Sequence, residues 1–98
     1  MSFGSASLTP VPRYYFNVRN GHGFIADDEG LELSSDQDAR MEAISGARSL
    51  LSAEVLDGAL DLSGQIEVTN DINCEVLRVR FRDTVNIREE TFRIAADR

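Results

Sequence analysis

From Arg13 to Arg19 the chain alternates, with Tyr14, Phe16 and Val18 set between Arg13, Tyr15, Asn17 and Arg19. This is the period-two pattern of a strand with one buried face. Asn20-Gly21 supplies residues that tolerate positive φ in a primed hairpin turn, and Gly23 adds a second permissive position before Phe24 and Ile25. Asp27-Asp28-Glu29-Gly30 predicts a second turn or bulge, after which Leu31 and Leu33 resume the alternation around Glu32. Ser34 followed three residues later by Gln37 forms a candidate capping box, with Asp36 and Asp38 suited to the positive end of a helix dipole. Ala43, Ile44, Ala47, Leu50 and Leu51 then share one side at helical spacing, while Glu42, Arg48 and Ser49 lie nearer solvent. Asp57-Gly58 is the expected stop. Beyond Gly64, Ile66 and Val68 alternate with Gln65, Glu67 and Thr69, and residues 70–73 form a turn. Leu77, Val79 and Phe81 then alternate strictly with Arg78, Arg80 and Arg82.

The order strand, strand, helix, strand, strand predicts an α+β fold. A four-stranded, mainly antiparallel sheet with one helix packed on one face is the simplest way to bury these stripes. Residues 1–12 are uncharged, contain both prolines and are expected to form a flexible leader. Residues 13–83 make the single domain. Residues 84–98 are a C-terminal extension that fits an edge strand through Val85 and Ile87, a short helix or a tail.

Ninety-eight residues suffice for one hydrophobic core, and 42% hydrophobic with 28% charged residues is ordinary globular composition. No run approaches the roughly 18 apolar residues that cross a bilayer, and the N-terminus lacks a basic start, so no membrane association is expected and a cytoplasmic location is the default. Cys74 is the only cysteine, which excludes an intramolecular disulfide and leaves a small buried thiol as the simplest expectation. Seventeen acidic residues against ten basic ones, all arginine, give a net charge of −7 that disfavours nonspecific attraction to DNA or acidic membranes.

Charge placement changes the picture more than composition does. If the apolar stripes face the helix, then Arg13, Tyr15, Arg19, Arg78, Arg80 and Arg82 share the opposite face with Asn17 and Glu67. Such a face fits a solvated surface paired with Glu67, a protein-binding surface including one for a second copy, or a nucleic-acid platform for which Tyr15 alone is thin. A homodimer is expected, with edge-to-edge pairing preferred over face-to-face. His22, between two glycines, reads as an exposed turn residue, and the spacing of Asp27, Asp28 and Glu29 does not match a calcium loop. No phosphate-cradling, dinucleotide or HExxH motif is present, so no catalytic residue, cofactor or metal is expected and an enzyme is the least favoured class.

The strings PRYYFNVRNG at 12–21, DDEGLEL at 27–33, ARMEAISGARSLL in the helix and VLRVRFRD near the end of the domain together resemble an uncharacterised family of small bacterial proteins. That resemblance implies the domain limits and no activity. A weaker similarity, over roughly residues 13–56, is to the HicB-type antitoxin fold, with its early hairpin, acidic turn and helix rich in alanine and acid. It implies a small basic partner protein and, in that fold, DNA binding through an appended segment. No such segment is seen in this chain.

Overall fold

A computed structural model describes residues 11–89. Its elements are β1 (Arg13–Asn20), β2 (Gly23–Ile25), β3 (Leu31–Glu32), α1 (Asp36–Leu56), β4 (Gln65–Thr69) and β5 (Glu75–Arg80), followed by a short 3-10 helix, Phe81–Asp83. The sheet is antiparallel throughout, in the order β2-β1-β4-β5, with β3 also paired to β1. This is the expected α+β architecture. The turn or bulge expected at residues 27–30 is present, where the chain leaves the edge between β2 and β3.

The core is the overlap of the predicted stripes. Tyr14, Ile66, Val68, Val79 and Phe81 meet Ala39, Ala43, Ala47 and Leu51 of α1, with Phe16, Val18 and Leu77 partly buried around them. The helix residues recur every four positions, and three of the four are alanines, so the helix axis lies close to the sheet. The helix packs mainly over β4, β5 and the 3-10 helix. That offset leaves the β2 side of the inner face thinly covered. Leu50, expected in the core, is therefore 39% exposed and lines an open groove with Val18 and Ile25.

Local chemistry sets the boundaries. Ser35, not Ser34, is the helix N-cap, its hydroxyl accepting from Asp38 N at 3.1 Å, while the Ser34 hydroxyl donates to Asp38 Oδ2 at 2.6 Å. The Tyr14 hydroxyl donates to Asp36 Oδ1 at 2.7 Å and ties β1 to the helix start. Gly58 stops the helix as expected, with φ +86° and its N–H bonded to the Val55 carbonyl. The first hairpin turn is not primed. Of its residues only Gly23 has positive φ, and the Asn20 side chain closes the turn by accepting from His22 N at 2.8 Å.

The C-terminal end of the sheet also departs from expectation. β5 ends at Arg80, and Phe81 is buried from the 3-10 helix, its N–H held by the Gly64 carbonyl at 2.9 Å. Residues 84–89 form neither the edge strand nor the helix considered for them, although Thr84 is buried and its carbonyl accepts from Arg48 Nε at 2.7 Å. Residues 90–98, and all but the last two of the predicted leader, lie outside the described residues. Among the described residues no helix is long and apolar enough to cross a membrane.

Candidate functional site

The face of the sheet turned away from α1 is built by register. Arg19, Gln65 and Arg80 form one cross-strand row, Asn17, Glu67 and Arg78 the next, and Tyr15 and Thr69 the third. Glu75 joins Thr69 through a β-bulge. In a regular strand residues 75 and 78 would point to opposite faces, but the extra residue at the bulge brings both to the open face, where Arg78 Nε lies 2.8 Å from Glu75 Oε2.

The expected basic surface is consequently neutralised. Arg13 pairs with Glu32 at 3.2 Å, Arg19 with Glu67 at 2.6 Å, Arg78 with Glu75 and Arg80 with Asp83 at 3.3 Å. Only the Arg19 pair follows from alternation alone. Arg82 falls beyond the strand, exposed on the 3-10 helix, and does not share the rows of the other arginines. Glu67 also accepts from Gln65 Nε2 at 2.7 Å, and the hydrogen bonds from Arg19 and Gln65 outweigh burial to hold its carboxyl below the ordinary glutamate range.

Between these rows and the turn of residues 70–73 lies an open cleft of about 460 Å³. Tyr15 and Phe24 supply its aromatic surface, and Asp27, Glu67, Asp71 and Glu75 its carboxylates. Phe24 stands directly across from Arg19, whose guanidinium carbon is 4.6 Å from the ring centroid. Phe24 was a partner the alternation pattern did not single out. Counting outward from a two-residue turn, however, sets residue 19 opposite residue 24.

Two polar groups of the cleft are structural. Asn17, on the polar side of β1, is buried: Nδ2 donates to the Glu67 carbonyl and Thr69 Oγ1, and Oδ1 accepts from Asp27 N at 2.9 Å. Asp27 turns inward from the acidic run. Its Oδ2 accepts from Phe16 N at 3.0 Å, and its Oδ1 from Glu29 N and Gly30 N. Burial raises the Asp27 carboxyl, but the hydrogen bonds from Phe16, Gly30 and Glu29 and the nearby Arg13 charge prevail, leaving its pKa lowered. Gly30 follows with φ +71°, and a Cβ there would sit 2.9 Å from Tyr14 O and Tyr15 Cε2, so a side chain is excluded.

The remaining candidates stand apart. His22 is exposed at the hairpin tip beside Asp61. The Asp61 carboxyl is lowered chiefly by the Ser63 hydroxyl and N–H, and to a smaller extent by the histidine charge. Cys74 is exposed rather than buried, because it closes the β4–β5 turn, where its N–H reaches Asn70 Oδ1 at 2.9 Å. Among the described residues no three His, Cys, Asp or Glu side chains converge as a metal set.

Against this geometry, the profile of the family described as "Domain of unknown function (DUF6894)" matches residues 13–82, and the chain belongs to that family. No curated protein and no solved structure matches it.

Proposed function

We propose that this member of the DUF6894 family is a non-enzymatic protein-interaction or regulatory module that takes a small basic protein on the open face of its sheet. The carrying observation is the cleft: its arginine neighbours are closed by carboxylates, while Phe24 stays 48% exposed and the lining is acidic. Aromatic surface rimmed by charge of one sign suits a protein partner of the opposite sign. The net charge of −7 would steer such a partner toward it. A small basic partner is also what an antitoxin-like role requires. Nucleic acid is less well supported, because phosphate contacts would have to break the Arg19–Glu67 and Arg78–Glu75 pairs. A non-enzymatic role fits the way the candidate groups are used: the Asp27 oxygens are taken by backbone N–H groups, and His22 lies at an exposed tip.

A tagged pull-down from the native host tests this, with Tyr15→Ala on the cleft and Met41→Ala on the outer helix surface. The expected result is one small basic protein, recovered by wild type and Met41→Ala and lost with Tyr15→Ala. Equal recovery by all three variants, or recovery of nucleic acid in place of protein, would overturn the assignment of the face.

A further inference from the structure

We infer that the cleft recognises the guanidinium group of an arginine presented by the protein partner; this rests on the interaction reading above and specifies what that face takes. One end of the cleft already displays the chemistry. There Arg19 lies over the Phe24 ring at 4.6 Å while its Nε donates to Glu67 at 2.6 Å, so a single planar cation is satisfied by an aromatic face and a carboxylate together.

The other end has the same two components and, among the described residues, no cation between them. Tyr15 lines the cleft from directly beside Thr69, where the missing side chain of Gly30 leaves its ring room. Asp71, in the turn after β4, is exposed, and among the described residues no arginine pairs with it. Among the described residues the lining includes four carboxylates, Asp27, Glu67, Asp71 and Glu75, and no basic side chain. Arg19 and Arg78 answer two of these, and Asp27 is ionised but spent on backbone N–H groups. Asp71 is the acid left to meet an incoming charge. An arginine fits the vacancy better than a lysine, because its flat guanidinium can stack on Tyr15 and bond a carboxylate in the same plane, whereas an ammonium supplies only a point charge.

An NMR titration of the ¹⁵N-labelled chain with N-acetyl-arginine methylamide, and in parallel with the lysine counterpart, tests this. Saturable shifts are expected, confined to the amides of Tyr15, Phe24 and residues 70–75, with the lysine probe clearly weaker. Asp71→Asn should weaken the arginine probe by roughly two- to fivefold. Tyr15→Leu, which keeps bulk and removes the π face, should abolish the preference for arginine over lysine. Equal responses to the two probes, or shifts spread over the whole acidic surface, would mean bulk charge alone and overturn the inference. No response while the Tyr15-dependent pull-down succeeds would overturn the guanidinium and leave the interaction face standing. No response together with a failed pull-down would sink both.

Discussion

Phe16 lies where the edge of the sheet is interrupted, and its N–H finds a side chain, Asp27 Oδ2, in place of a strand carbonyl. Asp27→Asn would set an amide NH₂ against one of the backbone donors that now meet the carboxylate, at Phe16 or at Glu29 and Gly30. A loss of about 1–3 kcal/mol at neutral pH is expected in urea unfolding. The pH dependence has a definite sign. The folded carboxyl lies below the ordinary aspartate value of 3.8, so as pH falls the unfolded chain takes up its proton first. The contribution is complete above that value and is lost as pH drops through the folded pKa. Stability of Asp27→Asn should therefore fall less steeply than wild type below about pH 4. A parallel acid limb in the two proteins would show that Asp27 carries no linked proton. The acidic run was legible in the sequence, but which of its three acids turns inward was not. That choice depends on the register of β1 against a later segment, which no local pattern encodes.

At the scale of elements, alternation located β1, β4 and most of β5 because each has one face on the core and one on water. The break at residues 27–30 was legible as a turn or bulge, but two departures that satisfy polar groups at a distance were not: Asp27 turning in from that loop to meet Phe16 N, and the bulge that turns Glu75 onto the face of Arg78. The helix was legible by its spacing, with its start displaced by one residue from Ser34 to Ser35. Substitution separates the two serines. Ser35→Ala removes the acceptor for Asp38 N and should cost about 1 kcal/mol. Ser34→Ala removes an exposed bond to the Asp38 carboxylate and should stay within about 0.5 kcal/mol. Thermal or urea melts with the opposite ranking would return the cap to Ser34. The alanine ridge makes a further demand: Ala43, 1% exposed, belongs to the buried core shared by helix and sheet. Ala43→Leu should lose about 1–3 kcal/mol through overpacking, although leucine matches alanine closely in helix propensity.

For the whole molecule, the geometry of the edges bears on the homodimer expected from the sequence. One edge is short and broken, since residues 26–30 separate β2 from β3. The other, β5, is a single strand with no further neighbour among the described residues, and antiparallel pairing of two copies through it must keep core-facing residues opposite core-facing residues. Two registers use its regular part. One, centred on Val79, sets Arg78 against the second copy's Arg80 twice; the other sets Arg78 against itself. Directly opposed like charges destabilise a strand pair, and charged residues on an edge commonly protect it from such pairing. Face-to-face association fares no better, because it lays the acidic cleft against its own image. Light scattering at micromolar concentration should therefore give a mass near 10.9 kDa. Arg80→Glu turns the Val79-centred register into two Arg78–Glu contacts, and it should shift the mass toward twice that value, more so at low salt. A wild-type mass already near twice 10.9 kDa would mean that the copies meet on a surface other than these two. A monomeric Arg80→Glu would mean that the arginines are not what keeps this edge single, leaving the strong twist that the bulge at Val76 gives the strand as the obstacle to pairing.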